Sequence, residues 1–352
     1  MSKLRTLGPR LLSHKGALRD GWKARVDDYA ITCEWAVDGQ ILLVGDVAGG
    51  IHAFNGKSGA ILWRRRDNHG DGLLAMCVHP SGKCFATAGQ DGQIIIQRPQ
   101  KDKILNELDL GQNWVECIKW SPNGKGLAIA SSRHVYVFDS EGKETWRSEK
   151  HPSTVSAIEW SNSSELATAC YGMVSFFDVV NKKLKQRLEW QGSLVSMVLS
   201  PNGNVVACGS QDNTVHFWRR STGHDSMMSG YAGKPSNLDF DNSGTLLATS
   251  GGKSVTVWSF QDDGPEGTLP GKLDMHSQTI SSLAFIPKGM RLASGAKDGA
   301  VILWELKNDG QGEAIGAGLM EDPVSTIVWR PDGRALAAVN AGGDVNTWRV
   351  GA

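Results

Sequence analysis

The chain has 352 residues, with 37 Lys+Arg balanced by 37 Asp+Glu. A protein that grips a phosphate backbone non-specifically usually carries a basic excess, so no nucleic-acid partner is expected. No run approaches the roughly 20 apolar residues that span a bilayer, so no membrane is expected either.

The N-terminus, MSKLRTLGPRLLSHKGALRDGW, carries Lys3, Arg5, Arg10, Lys15 and Arg19 before its first acid, Asp20. It lacks a continuous apolar stretch and a small-residue cleavage site, so no secretory signal is read. Residues 1–16 read as a basic arm, either solvated or docking on an acidic partner or lipid surface. Residues 17–352 read as a single domain. Cys33, Cys77, Cys84, Cys117, Cys170 and Cys208 form no close pair of the metal-binding type and sit in apolar runs. Reduced, buried thiols of this kind suit a cytoplasmic setting.

From residue 33 onward one pattern recurs. A short strand ends in an apolar anchor, and a turn with Gly or Ser follows: CEWAVDG, MCVHPSG, IKWSPNG, IEWSNSS, MVLSPNG, LDFDNSG, LAFIPKG and IVWRPDG. The anchors are Trp35, Val78, Trp120, Trp160, Leu199, Phe240, Phe285 and Trp329, spaced 39 to 45 residues apart. A period of about 40–45 is that of a four-stranded propeller blade. Third strands follow in step: IHAFN, IIIQR, VYVFD, VSFFD, VHFWR, VTVWS, VILWE and VNTWR. A fourth strand, such as ILWRRRD or ETWRSEK, precedes the next anchor. High glycine (42) and low proline (12) fit the many tight turns this requires.

Over residues 17–350 the chain resembles the WD-repeat family. Repeat seven, HSQTISSLAFIPKGMRLASGAKDGAVILWE, is the best match. The resemblance implies a hydrogen-bonded set within one blade, here His276, Ser294, Asp298 and Trp304. Repeat two keeps His69, Thr87 and Asp91 but has Gln97 at the Trp position. Repeat five keeps Asp212 and Trp218, with Trp190 for the His and Cys208 for the Ser. The remaining five repeats look degenerate. The chemistry of the set is structural, because a buried Asp and His need partners. A catalytic reading of His276, Ser294 and Asp298 lacks an accompanying oxyanion loop.

The chain ends on the third strand of repeat eight, and LRDGWKA (residues 18–24) supplies a spare outer strand. Pairing the two would close the ring and remove an unpaired edge. The expected fold is therefore all-β: an eight-bladed β-propeller of four-stranded antiparallel blades, closed by an N-terminal strand. Seven blades, the commoner number in the resembling family, is the alternative.

In that family, the face carrying the loops between outer and first strands often binds peptides. Acids stand seven and eight residues before the anchors in only three repeats: Glu321 and Asp322, Asp27 and Asp28, and Asp71. Ring closure would make those repeats consecutive, forming an acidic arc for a basic protein or peptide, or merely a solvated polar rim. Tyr29, Trp114 and Trp190 lie in the same loops and are candidate anchors, unless their rings fold onto neighbouring blades.

The leading reading is a non-catalytic protein-binding scaffold or adaptor with no cofactor, acting as a monomeric ring or within a hetero-complex. No phosphate-binding Gly loop, metalloprotease His pair or nucleophile elbow appears. One alternative is an accessory role in metal homeostasis beside a CobW-type GTPase metallochaperone, as for some similar bacterial proteins. For that role His52 and His216, at matching third-strand offsets, would lie across the ring from each other, with no local ligand cluster. Another is an enzyme or small-ligand binder using the central channel. The short chain looks more bacterial than eukaryotic.

Overall fold

The computed structural model describes residues 16–262 and 264–351. Residues 1–15 of the basic arm lie outside them.

Each period folds as a meander of antiparallel strands. Repeat one shows the pattern, with Ala30–Ala36, Ile41–Asp46, Ile51–Asn55 and Ile61–Arg65 hydrogen-bonded in that order. The first strand lies innermost. First strands neighbour one another around the ring, from Ala30–Ala36 through to Val324–Trp329 and back. In six repeats the first strand shifts register at one offset, as between Ala30 and Thr32 or between Val324 and Thr326. Such a bulge bends the strand sharply.

The second strands are apolar almost without alternation because both their faces are buried. In Leu127–Ser131, Leu127 and Ile129 pack toward repeat two, while Ala128 and Ala130 pack toward repeat four. Large residues on one face and alanines on the other let adjacent sheets approach closely. Among the described residues, eight apolar clusters fill the spaces between consecutive repeats, and one joins repeat eight to repeat one. Phe54, Phe85, Phe176 and Phe217 are fully buried there. Each such side chain contributes about 2–3 kcal/mol through burial.

The expected N-terminal closing strand is in place. Leu18–Arg25 pairs with Asp344–Val350, from Leu18 opposite Val350 to Arg25 opposite Asp344. The register shifts between Asp20 and Lys23. At that shift Trp22 N donates to Thr347 Oγ1, and Thr347 Oγ1 donates to Trp22 O, both at 3.0 Å.

The number of sheets is the alternative, seven, and not the expected eight. The described strands form seven hydrogen-bonded sheets, six with four strands and one with six. The six-stranded sheet contains repeats four and five. Its strand Lys183–Leu199 pairs through its first half with Glu165–Asp178 and through its second half with Val205–Ser210. The physical reason is the connection Trp190–Ser193, which stays extended where other repeats insert a turn. Glu165–Asp178 itself folds back at Gly172 (φ +83°), and Val179 N donates to Ser164 O at 2.9 Å.

Candidate functional site

The polar set of repeat seven is complete. His276 Nδ1 lies 3.3 Å from Asp298 Oδ1, and Nε2 lies 2.8 Å from Ser294 Oγ. Trp304 Nε1 donates to the same Oγ at 2.8 Å. With the proton on Nδ1, every donor meets an acceptor: imidazole to carboxylate, hydroxyl to Nε2, indole to hydroxyl. Burial alone would raise the Asp298 pKa. Hydrogen bonds from His276 and from the Ala300 and Ser277 amides overcome it and hold the carboxyl well below the usual range. Ser294 is fully buried, so no substrate reaches its hydroxyl.

In repeat two His69 lies 3.1 Å from both Asp91 oxygens and 2.9 Å from Thr87 Oγ1. Burial keeps this imidazole below its ordinary pKa despite Asp91. Gln97, fully buried, leaves both amide atoms without a partner.

Two sets escaped the sequence reading. His151 Nε2 lies 3.0 Å from Thr168 Oγ1 in repeat four. In repeat six Tyr231 replaces histidine: its hydroxyl lies 2.7 Å from Thr249 Oγ1 and accepts from Trp258 Nε1 at 3.0 Å. The signal was spacing, since all four sets join residues 17 or 18 apart.

On the inter-repeat loops, Trp114 (55%) and Tyr29 (41%) are exposed. Trp190 is not a free ring. It is half-buried and stacks on His216 with centroids 3.8 Å apart, filling the place vacated by the missing histidine. The acids of repeats eight, one and two do follow one another around the ring, but the arc is interrupted. Asp27 is bound by Arg66 Nε at 2.8 Å and Arg64 Nη1 at 3.5 Å, which lowers its pKa. Asp28 Oδ1 caps the Tyr29 amide at 2.6 Å. Asp71, Glu321 and Asp322 are exposed.

The channel holds a charge group that sequence reading also passed over. The residue before the anchor is charged in repeats one, three, four and six: Glu34, Lys119, Glu159 and Asp239. Lys119 Nζ lies 2.7 Å from Glu159 Oε1, and Glu159 raises the lysine's pKa. Glu34 Oε2 accepts from Val78 N at 3.4 Å, and Asp239 Oδ2 from Phe285 N at 2.7 Å. Burial pushes Glu34 up to about 6 against the pull of Lys119. It pushes Asp239 up to about 7.

Neither histidine expected to face the other across the ring is open to a ligand. His52 is buried with Nε2 2.9 Å from Asp46 Oδ2, and His216 is sealed beneath Trp190. Among the described residues no three His, Cys, Asp or Glu side chains gather as a metal-holding group.

Two family models match parts of the chain. The anaphase-promoting complex subunit 4 WD40 domain matches residues 61–123 and 76–163, and the WD domain, G-beta repeat matches residues 182–219 and 267–305. Protein HIR1 of Cryptococcus neoformans is 26% identical over 76% of this chain and 25% of its own length. Autophagy-related protein 16 of Arabidopsis thaliana is 24% identical over 85% and 57%. Actin-interacting protein 1 of Caenorhabditis elegans is 23% identical over 93% and 54%. The chain thus spans from a quarter to just over half of these relatives' length. All three are eukaryotic, and none supports the bacterial source expected from the chain's shortness. Among solved structures, the computationally designed Ika8 protein matches with a TM-score of 0.78 at 18% identity, covering 93% of this chain and 98% of that one. A chain of the mitotic checkpoint complex matches with 0.66 at 18% identity, covering 97% and 94%. Repeat period, antiparallel meanders and buried His–Ser/Thr pairs make this chain a β-propeller, and its matched repeat models and relatives make it similar to WD-repeat proteins.

Proposed function

We propose that this propeller is a non-catalytic scaffold that holds another protein on the face formed by its inter-repeat loops. The observation that carries the reading is Trp114, a large ring more than half exposed on a loop between two sheets. Exposed aromatic rings are typical interface anchors. Tyr29 adds a second ring. Asp28, Asp71, Glu321 and Asp322 give the face an acidic side that favours a basic partner, moderated by Arg64 and Arg66.

We infer an eightfold ring, although the described strands form seven sheets. Counting Glu165–Asp178 as a hairpin and dividing Lys183–Leu199 at Trp190 gives repeats four and five four strands each. On that count repeats eight, one and two form the acidic side. The name of the nematode relative says that it interacts with actin, and one similar solved chain belongs to a mitotic checkpoint complex; both fit a protein-binding propeller. Six unpaired thiols suit a reducing, cytoplasmic compartment.

Affinity capture from the native host with wild type and Trp114→Ala tests the reading. At least a fivefold loss of the captured partner is expected, with an unchanged melting temperature. Equal capture by both proteins removes Trp114 and this face from the site.

A further inference from the structure

The opposite face carries a different surface. Where repeat eight meets repeats seven and one, a cavity of about 900 Å3 opens at the ends of the strands that close the ring. That volume is in the range of ligand pockets. Its wall is aromatic. Trp22, half-exposed, lies at the register shift opposite Thr347, where the bulge turns its ring toward repeat one and lets its Nε1 donate to Gly56 O at 3.0 Å. The edges of Trp35 and Trp348 continue the wall.

The rim is basic. Lys57, Arg334 and Arg349 line the cavity, are exposed, and have no carboxylate within ion-pairing distance among the described residues. Arg330 and Arg291 also line it, but these are already held. Asp332 grips Arg330 through two bonds of 2.8 and 2.9 Å, and Arg291 reaches Glu305 at 3.4 Å and Gly351 O at 2.8 Å. Asp20 is the opposing carboxylate in the lining. Three cations outside any ion pair therefore face Asp20 in the lining, with Asp332, already held by Arg330, the nearest carboxylate to Arg334. On the other face Arg64 and Arg66 are paired with Asp27.

We propose that this cavity is a second docking site, for an acidic peptide segment of a partner protein. Carboxylates of the peptide meet Lys57, Arg334 and Arg349, and an apolar side chain between them covers the exposed flank of Trp22. The three cations stand on three different elements: the turn after Ile51–Asn55, the turn before Ala335–Asn340, and the strand Asp344–Val350. Charges so distributed suit acids spaced along an extended chain. The site is independent of the Trp114 face, so the two readings stand or fall separately.

The test uses the full chain and a fluorescein-labelled library of acidic nonapeptides, each with one Phe or Leu among Glu and Asp. Fluorescence anisotropy should show binding that weakens at least tenfold between 50 and 300 mM salt, because the contacts are solvent-screened. K57E/R334E should weaken binding at least tenfold. Both side chains are exposed, so the variant should melt within a degree or two of wild type. Trp22→Phe should weaken binding severalfold, and Trp114→Ala should leave it unchanged. Equal binding by wild type and K57E/R334E overturns the proposal, as does equal binding of a library with Lys in place of the acids. Tight binding of tripolyphosphate with no binding of the peptides also overturns it and assigns the cavity to a phosphate ligand.

Discussion

Asp298 and Asp239 are both enclosed carboxyls on the same scaffold, and their pKa values move in opposite directions. Burial acts to raise both. Around Asp298 an imidazole and two backbone amides donate to the carboxylate, and the ionised form wins. Asp239 has hydrogen bonds from the Phe285 and Phe240 amides, a lysine across the channel, and Glu159 acting against it, so the neutral form gains up to about pH 7. At Asp298, only half enclosed, the donors outweigh burial; at Asp239, more deeply enclosed, burial outweighs two amide bonds and a lysine. The state of each acid is the balance of burial against donors and the sign of the nearest charges. The blade interior is built for one fixed charge state, whereas the channel keeps charges only loosely settled.

The strongest way to break that comparison is to remove the hydroxyl at the centre of the first site. Ser294→Ala takes a partner from both His276 and Trp304, each buried. An orphaned buried polar group costs about 1–3 kcal/mol, so a loss of about 3 kcal/mol in urea unfolding is expected. The stabilisation due to Asp298 follows from its depressed pKa. It is present above the ordinary carboxyl value of 3.8 and is lost as pH falls below it. A Ser294→Ala effect under about 1 kcal/mol would show that the set does not hold repeat seven together.

The period, the strands and the ring closure were legible in the sequence because they rest on local rules: glycine turns, apolar second strands such as LAIAS and VVACGS, and a spare strand at residues 18–24. The set of repeat seven was legible because all four residue types are present. Those of repeats four and six were hidden because the spacing survives while the types change, with Phe177 in the tryptophan place of one and Tyr231 in the histidine place of the other. The pairing of Asp27 was hidden for another reason. Its partners stand 37 and 39 residues away in the run ILWRRRD, which becomes a neighbour only once the outer strand is laid beside the next loop. The merging of repeats four and five was invisible because nothing in Trp190–Ser193 forbids a turn; only tertiary packing keeps it extended. The channel charges required comparing the residue before every anchor around the closed ring, a comparison that no single repeat suggests.

The second site can be relaxed rather than broken. Asp239→Asn keeps an oxygen for the Phe285 amide and removes the titration. A carboxyl raised from 3.8 to about 7 contributes stability that is fully present below about pH 4 and is lost as pH climbs through 7. The asparagine variant should therefore unfold at higher urea than wild type at pH 8, by about 1–2 kcal/mol. That is less than the whole shift implies, because the group is partly exposed. At pH 4 the gain should vanish. Glu34, Lys119 and Glu159 share the space, so the wild-type profile should be broad rather than a single step. A gain of the same size at both pH values would mean that charge is not its cause.

The smallest expected effect comes from carrying the contrast into repeat two, which has the His–Thr–Asp chain of repeat seven without its tryptophan. Gln97 occupies that place, fully buried, with both amide atoms unpartnered among the described residues, while Thr87 Oγ1 accepts from Asn68 Nδ2 at 2.9 Å instead of from an indole. The glutamine therefore adds nothing to the set and carries the cost of a desolvated amide. Gln97→Leu has similar volume and no polar atom, so it should stabilise the protein by about 1 kcal/mol and leave the His69 set unchanged. The same replacement at Trp304, which donates to Ser294, should destabilise. One residue position would then give opposite signs in two repeats, as expected if completeness of the hydrogen-bonded set, and not its presence, stabilises a blade. A loss of stability on Gln97→Leu would mean that the amide is bonded in solution, and the two repeats would then differ less than their side chains suggest.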